Sequence, residues 1–72
     1  NCRRHQFLGI SEGQIVVLRG LPTQPGPVAE STDIKVDQLP EAELQDLKAG
    51  IPFMDAKEKL QLIEGLSGLV AN

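Results

Sequence analysis

The chain contains no tryptophan and no tyrosine, and Phe7 and Phe53 are its only aromatic residues among 72. Domains that bind nucleic acids rely on basic patches and on aromatic rings that stack against bases. Because this chain has few rings and a net charge of −3, we expect no nucleic-acid binding. Leu, Ile and Val must fill the core, and a domain of this length buries only about 60% of its unfolded surface. These limits predict one small domain with a thin aliphatic core.

Cysteine and histidine occur once each, as Cys2 and His5. A single cysteine cannot form an internal disulfide and has no CxxC partner for a metal. A single histidine without neighbouring thiols is a poor metal ligand. Both residues lie close to the N-terminus, where a site would lack rigid support. We therefore expect no cofactor, no metal site and no catalytic role for either residue.

Long hydrophobic runs are also missing, and none reaches the roughly 18 residues of a membrane-spanning helix. No signal-peptide pattern is visible. The chain opens on Asn1 rather than on methionine, and we expect it to be a piece of a longer protein. Any contact with a membrane would then be made through a segment outside these residues.

Charge is unevenly distributed along the chain. Residues 1–28 hold three arginines and one glutamate, a net charge of +2, whereas residues 29–72 hold four lysines and nine acids, a net charge of −5. Six of these nine acids form two groups, and such groups usually make a solvated face. One group fits the start of a helix and consists of Glu41, Glu43 and Asp46. The other lacks the D-x-D-x-D-G spacing of a calcium loop and consists of Glu30, Asp33 and Asp37.

Motifs for nucleophiles and phosphates are missing as well. Ser31-Thr32-Asp33 offers hydroxyls and an acid without an adjacent base, and the chain has neither G-x-S-x-G nor G-x-x-x-x-G-K. Arg19-Gly20 precedes a proline-rich stretch rather than a helix, so no helix start would hold a phosphate there. We expect a chain without catalytic residues, in which Arg19-Gly20 ends a strand.

Two strands are predicted at the start of the chain. Phe7–Ile10 and the β-branched stretch Gln14–Arg19 flank Ser11-Glu12-Gly13, which predicts a hairpin with a glycine turn. Apolar residues on both faces of the second strand predict that it lies in the centre of a sheet.

A loop and a third strand are predicted next. Gly20–Pro27 contains three prolines and two glycines, which predicts a loop. Val28–Val36 alternates apolar and polar residues near its end and predicts an edge strand, with an interruption near Thr32-Asp33.

From residue 40 onwards, the apolar residues repeat at the spacing of a helix. Pro40 and Gly50 bound a first helix over residues 40–49. Asp55 and Glu58 form a D-x-x-E capping box that opens a second helix. This order predicts an α+β domain, with a small three-stranded, mostly antiparallel sheet followed by two short helices packed on one face. We expect residues 1–5 to form a flexible leader and residues 6–69 to form the domain.

Three short motifs follow one another along the chain. "FLGISEGQIVVLRGLP" contains V-x-x-G-x-P, "TDIKVDQLP" contains I-x-V-x-x-L-P, and Leu47–Ile51 reads L-x-x-G-I. With these motifs, residues 6–67 resemble the C-terminal domain of bypass-of-forespore protein C (BofC) and the BofC-like proteins of spore-forming bacteria. The matching positions are Phe7, Gly9, Gly13, Val16, Val17, Gly20, Pro22, Ile34, Val36, Leu39, Pro40, Leu47, Gly50 and Ile51.

The resemblance implies a small non-catalytic domain on the far side of a bacterial membrane. BofC-like proteins restrain a signalling protease during sporulation. The chain is also similar to the extracytoplasmic tail of actinobacterial type 2C Ser/Thr phosphatases, through Arg19-Gly20 and Thr32-Asp33-Ile34. That second likeness implies a sensor attached to a membrane-anchored phosphatase.

The sequence thus favours a monomeric, extracytoplasmic module that binds or regulates another protein. Rigid sheets commonly present recognition loops, so the candidate partner-binding surface is the predicted loop with its flanks: Arg19, Gln24 and Glu30. Two alternatives stay open. One is a small enzyme or metal-dependent domain built on His5, Cys2 or the acids. The other is a structural or assembly spacer in which the edge strand pairs with a second copy, although its charged residues would discourage this.

Overall fold

The computed structural model of the protein describes residues 5–70. The elements follow one another as β1 (Gln6–Ser11), β2 (Gln14–Leu21), β3 (Gln24–Lys35), a 3-10 turn (Val36–Gln38), α1 (Glu41–Ala49), β4 (Ile51–Phe53) and α2 (Ala56–Val70). The strands form one antiparallel sheet in the order β3-β2-β1-β4. The predicted α+β class with an antiparallel sheet and two helices is confirmed. The predicted strand count is wrong, because the sheet has four strands rather than three.

β1 and β2 form the predicted hairpin. Ser11 pairs with Gln14, so the connection is the two-residue turn Glu12-Gly13. Both turn residues have positive φ, 54° and 78°, which is the conformation of a type I′ turn. β2 then lies between β1 and β3, which confirms its central position. Its buried apolar residues are Ile15, Val16 and Val17.

The stretch predicted as a loop, residues 20–27, is instead the tip of a second hairpin. β2 continues to Leu21 and β3 begins at Gln24. Pro25 and Pro27 fit this strand because it lies at the sheet edge, where a missing N–H does not interrupt an interior ladder. The twelve residues of β3 oppose the eight of β2, and the register shifts at three places. Bulges in the edge strand therefore absorb its four extra residues.

The interruption predicted in the third strand is the widest of these bulges. Between Gln14 and Val16, two steps along β2 correspond to four steps along β3. Thr32 holds the bulge, because its Oγ1 donates to the carbonyl oxygen of Ile15 at 2.6 Å and accepts from the amide of Ile34 at 3.2 Å. The strand therefore continues through this position instead of ending there.

β4 is the strand that the sequence pattern did not reveal. Ile51–Phe53 pairs with Gln6–Leu8 of β1. Three residues are too few for alternation to be recognised, and Pro52 in the middle argues against a strand unless it lies at an edge. Since β4 lies between α1 and α2 in the chain, the strands do not all precede the helices, as the predicted order had it.

α1 begins one residue later than predicted and ends as predicted. Pro40 has the extended backbone of an N-cap, and its carbonyl oxygen accepts from the amide of Leu44 at 3.1 Å. At the other end Gly50 has φ 93°, and its amide donates to the carbonyl oxygens of Asp46 and Leu47 at 3.0 and 3.1 Å. A glycine at this position ends the helix because it adopts positive φ without steric cost.

α2 opens with the predicted capping box. Asp55 Oδ1 accepts from the amide of Glu58 at 2.9 Å, and Glu58 Oε1 accepts from the amide of Met54 at 2.7 Å. The first bond satisfies an amide that the first turn of a helix leaves without a partner, whereas the second holds the amide of Met54, which precedes the helix. None of the helices in the described part of the chain is long and apolar enough to cross a bilayer.

Most of the buried side chains form one core cluster, whereas Phe7 and Val16 are buried outside it. Its members are Leu8, Ile15, Val17, Ile34, Leu39, Leu47, Phe53 and Leu66. α1 contributes only Leu47 as a buried residue, and α2 contributes only Leu66. Among residues 5–70 no polar or charged residue is buried. The core is therefore small and mostly aliphatic, with Phe53 as its one aromatic member, and half of its residues are leucines.

Candidate binding surface

The residues predicted to bind a partner all lie on the β2–β3 hairpin. Arg19 is exposed on β2, opposite Gln6 of β1, and Gln24 is exposed at the first position of β3. Glu30 is exposed six residues further along β3, which is roughly 20 Å of extended strand at about 3.3 Å per residue. The structure therefore places the three residues on one hairpin without joining them into a compact patch.

Glu30 has a contact that links the sheet to a helix. Its carboxylate oxygens lie 3.0 and 3.1 Å from Nζ of Lys59 on α2. The side chain of Glu30 is 54% exposed and that of Lys59 is 23% exposed, so solvent screens the pair and its contribution is no more than about 1 kcal/mol. Glu30 thus helps to position α2, whereas Gln24 lies beside the exposed hairpin turn.

An open apolar groove lies between the tip of this hairpin and the end of α1. Its volume is about 470 Å³. The sheet contributes Phe7, Gly9 and Leu18 to the lining, and the hairpin tip contributes Pro22 and Pro25. The last residues of α1 and its C-cap, residues 47–50, complete the wall. The groove therefore joins segments that lie far apart in the sequence.

Because Gly9 has no side chain, the side chains of Leu18 and Phe7 can approach its backbone closely. A Cβ atom at Gly9 would lie 2.6 Å from Cδ1 of Leu18 and 3.4 Å from a ring carbon of Phe7. A larger residue would displace both side chains and disturb the groove. Val28 pairs with Leu18 across the hairpin and is 45% exposed. Because paired residues share a face of the sheet, Val28 extends the apolar surface along the hairpin.

Contact between Gly50 and Pro22 holds the hairpin tip against the end of α1. A Cβ atom at Gly50 would lie 2.7 and 2.8 Å from two ring carbons of Pro22. Pro22 ends the V-x-x-G-x-P motif, and Gly50 belongs to L-x-x-G-I. Two motifs that carry the family resemblance therefore meet in space, and their role at this point is to shape the groove.

The residues considered for catalysis are not brought together. His5 is exposed, and its carbonyl oxygen accepts from the amide of Gly20 at 2.8 Å. Cys2 and the rest of the predicted leader before His5 lie outside the described residues. Glu41 accepts from Nε2 of Gln45 one turn further along α1 at 2.7 Å. From residue 5 to residue 70, no three His, Cys, Asp or Glu side chains are grouped as a metal ion would require.

The sequence pattern predicted a loop where the tip of the β2–β3 hairpin lies, and it did not reveal the groove beside that tip. One available signal was Gly9, since a glycine inside a strand pattern often marks close approach by another group. The return of the hairpin tip to α1 was not visible, because alternation does not report the register of a bulged edge strand. The proline-rich composition also concealed the strand.

The comparisons with known proteins agree with the motif pattern. A family model described as the BofC C-terminal domain matches residues 1–68. Comparisons with curated proteins and with solved structures gave no match. The family match includes all four strands, α1 and most of α2. The chain therefore belongs to the BofC C-terminal domain family.

Proposed function

We propose that this chain is a non-catalytic regulatory domain that binds another protein outside the cytoplasm. The BofC family is a regulatory family. The observation that carries the proposal is the open apolar groove beside an exposed hairpin. Exposed apolar surfaces of this kind, rimmed by polar residues, are typical of protein interaction sites.

The hairpin combines the two components that protein interfaces usually have. Leu21 and Val28 are 43% and 45% exposed and supply apolar area. Arg19 and Gln24 are exposed on the same hairpin and supply hydrogen-bonding groups. Interfaces typically have an apolar centre within a polar rim, and arginine is enriched in them. We infer that the partner contacts this hairpin and the groove beside its tip.

The partner can be identified by photo-cross-linking in cells that make the full parent protein. A photoreactive amino acid such as p-benzoylphenylalanine replaces Gln24 in one variant and Gln61, an exposed residue of α2, in the control. We expect a discrete protein adduct from position 24 and none from position 61, and we expect Arg19→Ala to lower the adduct yield. Equal adducts from both positions, or none from position 24, would contradict the proposed surface.

A further inference from the structure

The lining of the groove indicates which kind of partner segment it accepts. We propose that the groove binds an acidic segment of a partner protein that inserts an apolar side chain, while Lys48 pairs with a carboxylate of that segment. This inference rests on the proposed function, because it names the chemistry of the partner that the domain binds.

The apolar part of the site fits a side chain carried by a peptide. A volume of about 470 Å³ lies within the range of about 300–1,000 Å³ that ligand sites occupy. The lining from Phe7, Leu18, Pro22 and Pro25 is apolar. However, the site is an open groove, and small-molecule pockets enclose most of their ligand. An extended segment can insert one side chain there while its backbone stays in solvent.

The charge around the groove selects an acidic segment. The chain has ten acids and seven bases, yet among residues 5–70 Lys48 is the only charged residue in the lining. Lys48 is exposed in the last turn of α1 and forms no ion pair with these residues. The groove is thus a positive site on an acidic domain, and it attracts carboxylates while disfavouring cations.

The end of α1 opposes this preference only in part. The carbonyl oxygens of Asp46 and Leu47 already accept from the amide of Gly50, so these acceptors are satisfied rather than directed at an incoming carboxylate. A second copy of the chain is the alternative occupant. The net charge of −3 opposes any acidic partner at long range, so the preference for an acidic segment rests on its short-range pairing with Lys48, and dilution of the chain without peptide tests for a second copy.

Three peptides test the inference on the ¹⁵N-labelled chain by NMR. The probes are acetyl-EELEE-amide, acetyl-KKLKK-amide, which reverses the charge, and acetyl-EEGEE-amide, which lacks the apolar side chain. We expect the first peptide to shift the amide resonances of Gly9 and Gly50 about threefold more than either control peptide at equal concentration. The spectrum also shows whether each protein variant remains folded.

A charge reversal at Lys48 supplies the matched test. Lys48→Glu should transfer the preference to the basic peptide, while Lys57→Glu makes the same charge change in the first turn of α2 and should keep the preference of the unmodified chain. Equal responses to the acidic and basic peptides, or the same result from both variants, would overturn the inference. Shifts of Gly9 and Gly50 on dilution without peptide would overturn it in favour of a second copy.

These outcomes are distinguishable from a failure of the proposed function. The adduct at position 24 reports a protein partner whether or not the groove selects charge. A selective peptide response without any adduct would instead preserve the chemistry of the groove and reject the hairpin surface.

Discussion

Gly50 is the residue at which the hairpin tip and the end of α1 come together. Its φ of 93° lies in the region that favours glycine, and Pro22 occupies the space that a side chain would need. Gly65 provides a contrast, because it lies inside α2 and a Cβ atom added there would meet no neighbouring atom within 4 Å. Position 50 therefore requires glycine, whereas position 65 has room for a side chain.

Gly50→Ala should therefore lower the free energy of unfolding by about 1–3 kcal/mol, because it adds backbone strain and a clash with Pro22. Gly65→Ala should raise it by about 0.5–1 kcal/mol, since alanine is the better helix former. Urea unfolding of both variants measures the difference. Equal stabilities for the two variants would show that Gly50 is not constrained in this way.

Thr32 is the second residue whose role is structural. Its hydroxyl joins the carbonyl oxygen of Ile15 and the amide of Ile34 across the bulge. Thr32→Val keeps the shape and removes both bonds, so we expect a loss of about 1–3 kcal/mol in the free energy of unfolding. Thr32→Ser retains the hydroxyl and should lose less. Urea unfolding measures both variants. If Thr32→Val and Thr32→Ser lower the free energy of unfolding equally, the two hydrogen bonds do not stabilise the bulge.

At the scale of elements, α2 combines a cap at its start with the packing of one face against the core. Only Leu66 of its fifteen residues is buried, whereas Asp55 and Glu58 satisfy two amides at its start. Leu62, Ile63 and Val70 are partly buried and also pack against the core, so packing stabilises one face of the helix while the cap fixes where it begins.

Asp55→Ala should accordingly lower the free energy of unfolding by about 0.5–2 kcal/mol, while Asp55→Asn should stay close to the unmodified chain because asparagine caps about as well. Chemical unfolding followed by circular dichroism near 222 nm measures both stability and helix content. A stability for Asp55→Ala that matches Asp55→Asn would mean that the cap does not hold this helix.

The elements differ in how far the sequence could predict them. The first hairpin, the central strand and both helices follow from local signals, namely the Glu12-Gly13 turn, β-branched residues, a capping box and Gly50. β3 and β4 did not follow, because prolines are compatible with edge strands and their pairing partners are set by the tertiary structure. The groove has the same origin, since its walls meet only after β3 has been folded against β2.

At the scale of the whole molecule, the sheet edge formed by β3 is protected against pairing with another copy. It carries three register shifts and two prolines, Pro25 and Pro27. Bulges, prolines and charged residues are the devices by which edge strands avoid association. The net charge of −3 acts in the same direction.

The isolated domain should therefore remain monomeric across a wide concentration range in sedimentation equilibrium. The double variant Pro25→Thr, Pro27→Val restores two backbone donors at the edge and should increase self-association. A concentration-dependent dimer of the unmodified chain would contradict this expectation and favour the spacer alternative.

The motifs that carry the family resemblance form contacts between distant parts of the folded domain. V-x-x-G-x-P and L-x-x-G-I meet at Pro22 and Gly50, and Phe7, Gly9 and Leu47 from the same set of matching positions line the groove. These positions hold the fold and shape the apolar groove. The exposed residues around that surface, Arg19, Gln24 and Lys48, are then the ones that we expect to set the choice of partner.

The proposal that the hairpin binds a partner is tested most directly by titration. The partner that cross-linking has identified is purified without the cross-link, and its affinity for the purified chain is measured. Isothermal titration calorimetry compares the unmodified chain with an Arg19→Ala, Gln24→Ala double variant and with a Gln61→Ala, Glu64→Ala control on α2. We predict that the hairpin variant binds about tenfold more weakly or worse, while the control keeps its affinity. Unchanged affinity of the hairpin variant would contradict the account.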